Sequence, residues 1–91
     1  MTDESRETRI KRLRMRAMRR GIKEMDLILN AYAPRKIDAM SDAELTLFEA
    51  LLAENDHDIY QWVTGLAPVD PRFASLLPDI AREAVGLTRP A

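Results

Sequence analysis

The sequence predicts an all-α protein, a compact bundle of about five short helices in a single small domain over 1–91, with an ordered core at about 5–86. Three observations carry that prediction. Apolar residues recur at spacings of three and four, and no segment alternates as a half-buried strand would. The periodic stretches are punctuated by turn formers at Gly21, Pro34, Asn55, Asp56, Pro68 and Pro71. The 91 residues contain no cysteine, so neither disulfides nor thiolate metal sites can supplement the one small core that a chain of this length builds.

The first helix is expected over about 4–19. Ile10, Leu13 and Ala17 form its apolar stripe with Met18 beside it, and Arg9, Arg12, Arg16 and Arg19 form a neighbouring, solvent-facing stripe. Gly21 ends it, because glycine reaches the left-handed conformation of a helix C-terminus without steric cost. The second helix, about 23–33, presents Met25, Ile28, Leu29 and Tyr32 and stops at Pro34, which a helix interior does not accept cheaply.

In "MSDAELTLFEALLAEND", Ser41 and Glu44 have the spacing of a capping box, and Leu45, Phe48, Leu51 and Leu52 make the buried stripe. Asn55 and Asp56 break that helix and cap "HDIYQWVTGL", where Ile59, Trp62, Val63 and Leu66 share a face and Gly65 lies near the end. Trp62, the largest apolar unit, anchors this fourth helix against its neighbours. Asp70 caps the last helix, with Pro71 at its first position. Phe73, Leu76, Leu77, Ile80 and Ala84 are its apolar face, and Pro78 inside that pattern predicts a kink or a split. Residues 1–3 and 87–91 are expected to fray.

The formal net charge is −1, but its distribution is uneven. Nine of the fourteen Lys and Arg residues lie in 1–24 against four acids, whereas 25–91 carry five basic residues and eleven acids. A basic end on an acidic body orients a molecule as it meets a charged partner. The longest apolar runs fall far short of a membrane span, so no membrane insertion is expected. "MTDESRETRIKRLRMR" lacks the apolar core of a secretory signal, and Asp3, Glu4 and Glu7 do not suit an organellar transit peptide. It reads as part of the mature protein and points to a bacterial cytoplasm or an equivalent.

Catalysis is soon bounded. The one histidine, His57, is flanked by Asp56 and Asp58, and neighbours on a helix point about 100° apart, so the three do not converge on a metal. An exposed histidine in a capping turn accounts for them. There is no cysteine nucleophile, no serine with an implied histidine partner and no Gly-rich phosphate loop. The expectation is a protein that is not an enzyme and has no catalytic or metal site. The basic first helix could contact phosphates, but the acidic body repels a polyanion and the aromatics do not interleave with the arginines. No nucleic-acid partner is therefore expected; a basic-faced helical adaptor or nucleic-acid module is the alternative reading.

That leaves "RRGIKEMD". Arg19 and Arg20 sit in the expected last turn of the first helix, and Glu24 and Asp26 in the first turns of the second, each sign where the helix dipole favours it. Terminal electrostatics explain every residue type here except Lys23. They do not explain the concentration of a forked donor, a bare backbone and a carboxylate within five residues. Arginine offers bidentate recognition of carboxylate or phosphate, and glycine lets another surface approach the backbone. On these residues alone, a simple turn and a docking site are equally good readings.

"RRGIKEMDLIL" resembles the Arg-Gly-x-x-Glu signature of the succinate dehydrogenase assembly factor 2 family of FAD assembly factors. Arg20, Gly21 and Glu24 occupy the signature positions, and Asp26 follows two residues later. "MSDAELTLFEALL", "ENDHDIYQWV" and "TGLAP" extend the likeness over roughly 9–85, with Pro78 as a departure. The resemblance implies a five-helix helper that binds the flavoprotein subunit of succinate dehydrogenase, and fumarate reductase as well. It promotes covalent attachment of FAD through the flavoprotein's own histidine and holds no cofactor stably itself. The implied partner-binding residues are Arg19, Arg20, Gly21, Glu24 and Asp26. In that set Arg20 binds an acidic or phosphate group, Gly21 allows close backbone approach and Glu24 pairs with a cation on the partner. Arg19 and Asp26 support them.

Overall fold

The computed structural model describes residues 4–84 other than Arg19; the frayed ends expected at 1–3 and 87–91 lie outside them. Within these residues the chain forms α1 (Arg6–Arg16), α2 (Lys23–Lys36), α3 (Asp42–Leu52), α4 (Asp56–Thr64) and α5 (Leu77–Ala84), with 3-10 turns at Ile37–Ala39 and Pro71–Phe73. The all-α expectation holds. Helix α2 packs against α4 and α5, which also pack on each other, while α1 lies along α3.

Local chemistry fixes most helix ends. Ser5 accepts the Thr8 N–H at 3.1 Å and starts α1. Ser41 and Glu44 form the expected reciprocal capping box at 2.8 and 3.1 Å. Asn55 caps α4 through the His57 N–H, and Gly65 closes it in the left-handed region at φ 80°. Asp70 caps the Pro71–Phe73 turn, and α5 starts afresh at Leu77 with Pro78 in its first turn. The split predicted at Pro78 is thus real, and it costs no hydrogen bond, because a first-turn residue needs no intrahelical N–H.

The apolar stripes of all five helices meet in one core. Leu13, Met25, Ile28, Leu29, Leu45, Phe48, Leu51, Ile59, Phe73 and Ile80 have no exposed surface, and Tyr32 and Leu77 have almost none. Trp62 is half-buried with its ring 5.8 Å from that of Phe73, the anchoring role expected of it. Leu66 departs from expectation: Gly65 turns the chain out of α4 first, and Leu66 is 72% exposed.

Two element boundaries also differ. Helix α1 ends at Arg16, short of 19, with Ala17 as its C-cap. Helix α2 runs through Pro34 to Lys36. The acceptor that Pro34 deprives is the Asn30 carbonyl, and Asn30 is exposed, so water can satisfy it. Beyond Pro34 the helix is held by Arg35 to Glu83 at 3.1 Å and by burial of Ile37 and Met40, to which the periodicity assigned nothing.

The described arginines of the α1 stripe are only partly solvent-facing. Arg9, Arg12 and Arg16 converge on Glu49 of α3 at 3.4, 3.0 and 3.8 Å, and Arg12 also holds Glu4 at 2.8 Å. Arg6 reaches the Met40 carbonyl and Asp42, and Arg14 reaches Asp38. The Arg12 hydrogen bond, against a smaller opposing effect of burial, holds the Glu49 carboxyl below its ordinary range. Arginines of the basic end are therefore partly neutralised by carboxylates of the acidic body.

Candidate functional site

The chain leaves α1 at Ala17 and resumes as helix at Lys23, and between them Arg20 turns inward. Its Nε donates to Asp56 Oδ1 at 2.7 Å. Nη1 donates to the carbonyls of Arg16 and Leu52, both at 3.1 Å, and Nη2 to that of Glu54 at 3.5 Å. Arg16 and Leu52 are the last residues of α1 and α3, so their carbonyls have no partner within their own helices. One guanidinium thus closes two helix C-termini and meets a carboxylate in the first turn of α4, where the dipole favours negative charge. Only 11% of the Arg20 side chain and 15% of Asp56 remain exposed.

Gly21 donates its N–H to Asp56 Oδ2 at 2.6 Å. Its φ is not in the left-handed region, which among the described glycines is confined to Gly65. The expected C-cap role of Gly21 is therefore replaced by another: a Cβ here would stand 2.9 Å from Asp56 Oδ2. Glycine is needed for closeness to this chain's own carboxylate. Its outer side is exposed.

Asp26 stabilises the same turn from α2. Its Oδ1 accepts the Arg20 N–H at 3.3 Å and the Asn30 amide at 3.0 Å. Glu24 and Lys23, in the first turn of α2, are exposed, and Glu24 forms no ion pair or hydrogen bond among the described residues. Arg19 lies outside those residues. The structure thus brings Arg20, Gly21 and Asp26 into one bonded turn and leaves Glu24 on its surface. Asp56 was legible only as a helix cap. Its true partners are thirty-five and thirty-six residues away, a distance no local pattern spans.

His57 is exposed, as expected of a capping turn. A separate cavity of about 290 Å³ opens between α2 and α5, lined by Tyr32, Lys36, Met40, Glu44, Asp79 and Arg82 among others. Much of its charge is spent internally, with Asp79 taking Arg82 at 2.6 Å and the Tyr32 hydroxyl at 3.0 Å. Among the described residues no group of three or more His, Asp or Glu is gathered to hold a metal, and no helix is long and apolar enough to cross a membrane.

Comparison with known proteins gives this turn a context. Residues 11–84 match the family described as "Flavinator of succinate dehydrogenase". Succinate dehydrogenase assembly factor 2, mitochondrial, of Meyerozyma guilliermondii is 42% identical over 78 residues, covering 86% of this chain and 54% of the relative. The protein of the same name from Mycosarcoma maydis is 42% identical over 71 residues, covering 78% and 30%. Succinate dehydrogenase assembly factor 2-A, mitochondrial, of Drosophila yakuba is 33% identical over 89 residues, covering 91% and 55%. The chain spans about half the length or less of these curated relatives.

Their names correct one expectation. The relatives are mitochondrial proteins of fungi and flies, which overturns the bacterial cytoplasm inferred from the acids of the N-terminal segment. The acids of that segment carry no information about compartment. By the extent of both matches, the chain belongs to the succinate dehydrogenase flavinator family.

Proposed function

We propose that this chain is an assembly factor that docks on the flavoprotein subunit of succinate dehydrogenase and promotes covalent attachment of FAD to it. The observation that carries the reading is the Arg20–Gly21–x–x–Glu24 turn. Its first two members are bonded inward and its last points to solvent with no partner among the described residues. A turn held so firmly is suited to presenting groups in a fixed geometry, which lowers the ordering cost of association.

Roles divide accordingly. Arg20 and Asp26 hold the turn. Gly21 adds an exposed backbone that a partner can approach, and Glu24 offers a carboxylate to a cation on the flavoprotein, with Arg19, the residue before Arg20 in sequence, as a further contact. The chemistry of attachment belongs to the partner. The helper holds no FAD stably and acts by keeping the flavoprotein in a conformation in which the flavin and its attachment residue are close. A fumarate reductase flavoprotein would be served in the same way.

The test is to express the flavoprotein with wild-type helper, with Arg20→Ala or with Glu24→Ala, and to read covalent flavin by in-gel fluorescence. Loss of fluorescence with Glu24→Ala, in a helper that circular dichroism shows to be folded, supports docking through the turn. Undiminished flavin attachment with both variants folded would remove the site assignment.

A further inference from the structure

Asp56 stands outside the signature, yet the bonds that shape the signature turn end on it. Oδ1 takes Arg20 Nε at 2.7 Å and Oδ2 takes the Gly21 N–H at 2.6 Å. Two donors on adjacent residues, held by the two oxygens of one carboxylate, fix both the position and the rotation of the backbone three residues before Glu24. Asp56 is itself anchored, because it opens α4, whose Ile59 and Val63 are buried in the core. Nor is it spent on capping. Asn55 does that separately, its Oδ1 taking the His57 N–H at 2.8 Å, which leaves the whole Asp56 carboxylate for the turn.

We propose that Asp56 is a positioning residue of the docking surface: it sets the direction in which α2 starts and hence where Glu24 meets the flavoprotein. This rests on the docking role proposed above. It also assigns Gly21 an inward reason. A Cβ there would stand 2.9 Å from Asp56 Oδ2, so Gly21→Ala acts by displacing the carboxylate and not by obstructing the partner.

The experiment measures binding of the purified helper to the flavoprotein subunit, with covalent flavin yield in parallel, at a temperature where circular dichroism shows every variant folded. Asp56→Ala and Glu24→Ala are each expected to weaken binding about tenfold or more. Asp56→Asn retains one acceptor oxygen and falls between them and wild type, which keeps the test alive should Asp56→Ala not fold. Gly21→Ala alone weakens binding as Asp56→Ala does, but in the Asp56→Ala background it adds less than about twofold, because the two changes break one contact. A merely structural role for Asp56 does not produce that non-additivity in binding among equally folded proteins. Wild-type binding by Asp56→Ala and Asp56→Asn beside weak binding by Glu24→Ala overturns the positioning role. A full Gly21→Ala penalty in the Asp56→Ala background overturns the inward reason for the glycine. Wild-type binding by Glu24→Ala overturns the docking reading itself.

Discussion

Tyr32 of α2 donates its hydroxyl to Asp79 of α5 at 3.0 Å, joining the two most intimately packed helices from within the core. The Tyr32 ring is 1% exposed, and burial, then the bond to Asp79, pushes its hydroxyl far above its ordinary pKa. Tyr32→Phe keeps the ring and its 6.0 Å contact with Phe48 and deletes only the bond. Asp79 still has Arg82 and partial exposure to water, so the expected loss is about 1 kcal/mol in urea denaturation, with an unchanged slope.

Arg20→Ala should damage folding and flavin attachment together. It removes the partner of a carboxylate that is mostly buried and strips two helix C-termini of their donor, a loss of about 3 kcal/mol. Arg20→Lys keeps the charge but cannot reach four acceptors at once, and should recover less than half of that loss. Glu24→Ala, at an exposed position, should shift stability by no more than about 0.5 kcal/mol. Chemical denaturation of the three variants checks the order.

Glu49→Ala should turn a self-neutralised helix into a cationic one. Arg9 and Arg16 lose their carboxylate while Arg12 keeps only Glu4, so most of the stripe that sequence alone suggested for phosphates is then released. Wild type should bind duplex DNA negligibly, whereas the variant should bind weakly with a log K against log salt slope of roughly −2 to −3. Fluorescence anisotropy at several salt concentrations reads both.

Acid should unfold the chain through specific carboxylates. Glu4 and Glu49 are held below the ordinary 4.5, and Asp70 and Asp79 below 3.8. For Glu4, Glu49 and Asp70 an arginine hydrogen bond is the leading cause. For Asp79 burial opposes, and bonds from Tyr32 and Arg82 prevail. A depressed folded pKa means that the ionised form is favoured by folding. Its contribution is complete above the unfolded value and disappears as pH falls through the folded one. The urea midpoint should therefore hold steady from about pH 7 to 5 and fall below about pH 4.5. Glu49→Gln should make that acid fall shallower.

Much of this fold was legible because helix periodicity and caps are local. Ser41 with Glu44, Asn55, Asp70 and the stripes of all five helices are each specified within a few residues. What sequence could not show was pairing between segments. Arg9, Arg12 and Arg16 looked solvated because Glu49 is about forty residues on. Gly21 looked like a left-handed cap because the reason for it, Asp56, sits in another helix. Pro34 looked terminal because nothing local announces that α5 will hold Arg35 and Lys36. The signature turn was found, but which of its members face inward is a property of the assembled chain.

The separation of Arg20 from Asp56 has a practical consequence for anyone seeking to borrow the turn. A peptide covering α1 and α2 would contain every letter of the signature and none of the carboxylate that shapes it, since that lies thirty-six residues further along. Such a peptide should compete poorly with the whole chain, and grafting the five residues onto another helical hairpin should transfer the spelling without the conformation. A minimal mimic needs the start of α4 as well.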